Sequence, residues 1–286
     1  MLEIDRMLID DVGGNPVLLA DSIIKQIPSD LPSVPLREIA AAIDIVEIRE
    51  ENLSGLEGVM IVDSGKSSGG IIVNINSSRK RKRFTIAHEI GHYVNPYHLV
   101  NSSDGFRCSR SDMSISFANP NDRRAKMELE ANIFASNILM PTEWVRKYLS
   151  TIQGVELSHL IKMADKFDVS KEVAIRRYLN FADEPTAAVF SKDGVIRYIV
   201  TTSKFPRLSV WNGNPIPKDR SDNRKFEEGY ISEVEEVPSY FWFENNNDIH
   251  VYDQKLVQRN GYQVNLISIE EDDDNDSYWG EPKFRR

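Results

Sequence analysis

The segment His88-Glu89-Ile90-Gly91-His92 constrains this chain more than any other feature. Only five histidines occur in 286 residues, and three of them, His88, His92 and His98, fall close together. In a helix, positions four apart share a face. His88 and His92 can therefore aim both imidazoles at one ion, and Glu89, beside the first, can reach a water on that ion. Zinc lowers the pKa of such a water to near neutral, so a carboxylate can take its proton. Phe84, Ile86, Ala87, Ile90 and Val94 surround the motif with apolar side chains, which predicts a buried helix. Unpaired histidines would be costly in that setting. A fold for this chain must bury this helix and still converge ligands on it.

The residues leave two candidates for a third ligand. His98 lies six positions after His92, the spacing of the metzincin pattern. Asn95 stands there where that pattern has glycine, and asparagine tolerates a left-handed turn better than most residues. Glu128 lies on a long predicted helix from Arg123 to Met140, and Asn132, four residues on, shares its face. In that arrangement Glu128 binds the ion and Asn132 orients a ligand histidine from behind. Glu130, two residues from Glu128, is expected to point elsewhere.

The rest of the chain reads as mixed helix and strand. Helices are expected from Pro16 to Gln26, from Pro35 to Ile43, from Arg79 to Val94, and from Glu143 to Leu149 after Pro141-Thr142. Strands are expected at 44–48, 59–62 and 71–75. Leu157 to Phe181 reads as two short helices broken at Phe167-Asp168-Val169-Ser170. After Pro185 the pattern turns to strands, at 187–190, 195–202, 240–244, 249–257 and 262–269. Asn260-Gly261 is a hairpin signal between the last two. Four segments follow: a metal-binding domain over 1–150, a helical unit over 151–183, a β-rich module over 184–269 and an acidic, disordered tail over 270–286.

Charge and cysteine content narrow the function classes. The net charge is −9, so the chain lacks the basic footprint of a nonspecific nucleic-acid binder. Cys108 is the sole cysteine, which excludes an intramolecular disulfide and fits a reducing compartment. The first residues carry acids and no signal-peptide core, and no apolar run has membrane-spanning length. A cytoplasmic protein with no membrane partner is expected.

Two blocks in order, Arg83-Phe84-Thr85-Ile86-Ala87-His88-Glu89-Ile90-Gly91-His92 and Glu128-Leu129-Glu130-Ala131-Asn132-Ile133-Phe134-Ala135 with Leu139-Met140-Pro141, resemble the ImmA/IrrE metallopeptidases. The resemblance covers about residues 35–180. It implies an α+β, gluzincin-like minimal peptidase core of helices and a small twisted sheet. It implies one zinc ion held by His88, His92 and Glu128, with Glu89 catalytic and Asn132 behind the ligands. It implies cleavage of a DNA-binding helix-turn-helix repressor and hence transcription regulation. A helix-turn-helix-like unit and a C-terminal GAF-like sensor domain are also implied. The rival expectation is a regulatory protein that binds a repressor or DNA and carries a structural or vestigial zinc site.

Weaker features remain. Arg79-Lys80-Arg81-Lys82-Arg83 opposes the helix dipole and reads as a solvated basic patch, against which the acidic tail could fold. Lys171, Arg176 and Arg177 suit DNA contact only weakly, and a structural helix pair is the preferred reading. Cys108 reads as a reduced loop thiol with the chemistry to reach zinc. Tyr93, Tyr97 and Arg110 are candidates for stabilising a tetrahedral intermediate.

Overall fold

The computed structural model describes residues 2–63, 65–99, 105–114, 121–154, 156–217, 226–244 and 249–271. The acidic tail beyond Glu271 lies outside them. The fold is α+β with two sheets. The chain divides into two compact units, one of residues 1–153 and 162–174, the other of 154–161 and 175–286.

The first unit begins with helices α1 (Arg6–Asp10), α2 (Pro16–Ile24) and α3 (Leu36–Ala42). Strands β1 (Ile45–Glu51), β2 (Gly58–Val62) and β3 (Gly69–Asn74) follow, and then α4 (Arg79–Val94), β4 (Phe106–Cys108), α5 (Arg123–Leu139) and α6 (Thr142–Leu149). The sheet order is β1-β3-β2-β4, with β1 parallel to β3 and the remaining pairs antiparallel. Strand β4 is not among the strands expected from the sequence.

Helix α4 explains the architecture. Ser78 caps it by accepting from the Arg81 amide, and every residue from Phe84 to Val94 is buried. A helix buried all round needs neighbours on all sides. It packs against β2 and β3 on one side and against α5 on another. On α5 the buried residues Glu128, Ala131, Asn132, Ala135, Ile138 and Leu139 follow helical spacing, so one stripe of that helix faces inward. Gly91 permits the close approach: a Cβ there would lie 2.9 Å from Phe134 Cδ1 and 3.2 Å from its Cβ.

The basic run at the start of α4 is not a solvated patch. Lys80 pairs with Asp165 at 2.8 Å, Lys82 with Glu50 at 2.6 Å, Arg83 with Asp168 at 3.3 Å, and Arg79 with Asp168 as well. These acids offset the unfavourable charge at a helix N-terminus.

Helices α7 (Leu157–Lys166) and α8 (Lys171–Leu179) are joined through Asp168, whose φ of 53° is left-handed. The second unit holds β5 (Thr186–Lys192), β6 (Val195–Thr201), β7 (Glu235–Val237), β8 (Ile249–Val257) and β9 (Tyr262–Glu271), in the order β6-β5-β9-β8-β7. All its pairings are antiparallel. Asn260 and Gly261 both take positive φ, 56° and 75°, at the β8–β9 turn, as a tight hairpin requires. The strand expected at 240–244 is not formed. Ser239–Phe241 is a single 3-10 turn, which places Trp242 and Phe243 in the core with Val189, Ile196 and Ile267. In α8, Arg177 is buried and stacks on Phe181, and Arg176 stacks on Tyr198. Among the described residues no helix is long and apolar enough to cross a membrane.

Candidate metal centre

The site lies where α4 meets α5. One turn apart on α4, His88 and His92 bring their Nε2 atoms to 3.1 Å from each other. Glu128 Oε2, from α5, lies 3.1 Å from His88 Nε2 and 3.5 Å from His92 Nε2. Zinc bonds of about 2.0–2.1 Å in a tetrahedron would set neighbouring donors about 3.3–3.4 Å apart. The three atoms thus form a triangle of the size of one face of such a site.

The hydrogen bonds behind the triangle fix which nitrogens carry protons. Asn132 Nδ2 donates to the Asp112 carbonyl at 3.0 Å, which leaves Asn132 Oδ1 to accept from His88 Nδ1 at 3.0 Å. With Nδ1 as the donor, the ring nitrogen left to offer a lone pair is Nε2. On the other side, His98 Nε2 donates to Glu130 Oε2 at 2.9 Å, so His98 Nδ1 accepts from His92 Nδ1, also at 2.9 Å. Burial pushes both His92 and His98 down to about 3, which keeps both rings neutral. The His92 lone pair is therefore also on Nε2. Two lone pairs and a carboxylate oxygen meet with no proton among them, a set of acceptors that a cation satisfies. The residues fit a divalent ion on this ground alone.

His98 and Glu130 thus stand behind His92, outside the triangle. Glu130 does not point elsewhere, as its spacing from Glu128 suggested. It completes a carboxylate–histidine–histidine relay of the kind that orients metal ligands.

Glu89 is completely buried, and neither carboxylate oxygen has a hydrogen-bond partner among the described residues. Burial pushes its carboxyl up to about 7. Space for it comes from Gly58 on β2, where a Cβ would lie 2.5 Å from Glu89 Oε1. Strand β4 supplies the remaining wall. Phe106 stacks on His92, with centroids 4.4 Å apart and planes 17° from parallel. Cys108 brings its sulfur within 4.8 Å of the donor atoms of His88, His92 and Glu128.

At the C-terminal end of α4, Lys66 Nζ donates to the carbonyls of His92 at 2.7 Å and Asn95 at 2.8 Å. It satisfies carbonyls that a helix end leaves open. Tyr93 accepts from Arg6 at 3.1 Å through its hydroxyl, and the exposed Tyr97 has its ring at Gly14. Both are engaged away from the donor triangle. Lys66, Phe106, Asp112 and Gly58 carried no signal in the sequence, because each acts through a tertiary contact from a loop or strand.

A helix bearing His-Glu-x-x-His, packed on a small mixed sheet and answered by a glutamate from the next long helix, defines a metallopeptidase-type domain. Residues 46–179 match the family described as the IrrE N-terminal-like domain. The chain is 26% identical over 114 residues to metallopeptidase ImmA of Bacillus subtilis (strain 168). That match covers 38% of this chain and spans about half the relative, 56% of its length. The family resemblance read from the sequence is borne out over residues 46–179, which are similar to the ImmA/IrrE metallopeptidases. A solved structure described as a Mycobacterium tuberculosis transcriptional regulator has a similar fold, with a TM-score of 0.54 at 14% identity. The similarity covers 92% of this chain and 79% of that one.

Proposed function

We propose that the protein is a zinc-dependent endopeptidase that cuts a protein substrate, a helix-turn-helix transcriptional repressor, and thereby induces gene expression. His88, His92 and Glu128 would hold the ion in a gluzincin-like core. A bound zinc ion supplies Lewis acidity toward a water and toward the scissile carbonyl. Glu89 would serve as general base for the attacking water and as proton donor to the leaving amine. Asn132 holds the His88 ring in the tautomer that keeps Nε2 free for the ion. The β-rich part, about 184–269, would serve as a sensor-like module, with 151–183 as a structural helix pair. The relatives, one a metallopeptidase and the other described as a transcriptional regulator, are in keeping with a role in gene control.

The observation that carries this reading is a proton-free donor triangle beside a buried carboxylate that has no hydrogen-bond partner. Glu89→Gln should lower cleavage of a candidate repressor by about 10²–10⁴-fold, while bound zinc stays near one per chain. Coincubation with and without a chelator checks it, and an unimpaired variant would refute the role of Glu89.

One observation favours a second reading, a non-catalytic regulator with a structural ion. The Cys108 sulfur belongs to the cluster, and structural zinc is closed by four protein ligands. Glu89 speaks against it, since a structural site has no use for a buried carboxylate beside its ligands.

A further inference from the structure

We propose that the Cys108 thiolate is a fourth protein ligand of this centre, so that the chain as folded is a latent peptidase. It rests on the metal-centre proposal. The support begins with strand register. Cys108 lies directly opposite Gly58 in the antiparallel β2–β4 pair, and residues so paired face the same side of a sheet. Gly58 faces Glu89 and Thr85 of α4, so Cys108 faces α4 too. The burial of β4 agrees: Phe106 and Cys108 are buried and Arg107 between them is exposed. The strand thus sends one side chain to stack on His92 and the next to the donor triangle.

The chemistry of the pocket agrees as well. Four donors, two imidazoles, a carboxylate and a sulfur, all lie within 4.8 Å of one another, and two-histidine sites completed by thiolate or carboxylate are ordinary zinc chemistry. A fully buried thiol is usually inert, but this one lies among the donor atoms of His88, His92 and Glu128 and within reach of the Glu89 carboxylate. On coordination the thiol gives its proton to Glu89, and its sulfur replaces a water at the fourth position. Both halves of the hydrolytic apparatus are then occupied at once. Release reverses the exchange: the sulfur recovers the proton from Glu89 and a water returns.

Cobalt(II) tests this without relying on activity. The full chain is freed of metal, loaded with cobalt(II) alone and examined by absorption spectroscopy. The expected result is one cobalt per chain with a sulfur-to-cobalt charge-transfer band in the near ultraviolet. In Cys108→Ser that band is lost while one cobalt per chain is kept. Cys108→Ala serves if a hydroxyl disturbs the buried strand. As this is the sole cysteine, alkylation of the unaltered chain reports on it directly, and zinc should slow the reaction relative to the chelated protein. A merely buried thiol would react equally slowly in both. One bound cobalt without the sulfur band would overturn this inference and leave the three-ligand centre standing, whereas failure to bind any cobalt would overturn both. Cleavage by Cys108→Ser that is no faster than by the unaltered chain, with the band present in the latter, would overturn the latency.

Discussion

At the residue scale, the centre is ordered by proton bookkeeping. Asn132 and the His98–Glu130 pair each assign a tautomer, and the two assignments deliver both lone pairs to one point. Orienting partners of metal ligands are worth about 10–100-fold in affinity. Asn132→Ala and His98→Ala should therefore each weaken zinc binding by about that factor without abolishing it, as read by competition with a chromophoric chelator. Unchanged affinity in both would mean the relays are incidental. His88, Glu89 and His92 were legible in the sequence because helical spacing alone makes them neighbours. The pairing of Glu128 with them was not, since it depends on how α5 crosses α4. Spacing alone left His98 and Glu128 as equals. The turn at Asn95-Pro96 returns His98 behind His92, and only the fold shows that.

At the element scale, the helix pair α4–α5 and the strand β4 make the site. The helices were legible from their apolar spacing. The strand was not, because Phe106-Arg107-Cys108 is too short to establish an alternating pattern. Tyr240–Glu244 misled for the opposite reason: an aromatic run that favours strands is bent by a 3-10 turn so that Trp242 enters the core. Gly91 is where helix meets helix. Alanine there would favour the isolated helix by about 1 kcal/mol, but its Cβ would press on the root of the buried Phe134 ring rather than on a movable tip. Overpacking of that kind costs about 1–3 kcal/mol, so the clash wins. Gly91→Ala should lower the denaturant midpoint of the first unit, and a rise would show that α5 yields.

At the scale of the whole molecule, two sheets of different construction share one chain. The mixed first sheet supports a buried helix, while the antiparallel second sheet encloses its own apolar core. That second core carries a pH-dependent element. Asp253 on β8 accepts from Asn265 Nδ2 at 2.9 and 3.0 Å, and burial, outweighing those hydrogen bonds, pushes its carboxyl up to about 6. The folded state therefore holds a proton between about pH 4 and pH 6 that the unfolded state has lost, so stability is gained as the pH falls through that window. Thermal unfolding of the unaltered chain should rise relative to Asp253→Asn as the pH drops from 7 to 4. Parallel curves would show that the carboxyl titrates normally. The sequence indicated a β-rich second half but not this residue, because nothing in the spacing of Asp253 distinguishes it from a solvated acid.

The central claim, that two imidazoles of α4 and one carboxylate of α5 clamp a single divalent ion, is tested most directly by elemental analysis of the purified full chain beside Cys108→Ser and the double variant Cys108→Ser, Glu128→Ala, in which the sulfur cannot stand in for the lost carboxylate. Close to one zinc per chain in the unaltered protein and in Cys108→Ser, and almost none in the folded double variant, is the predicted result. A folded, unaltered chain that takes up no divalent ion, or a double variant that keeps its full complement, would contradict it.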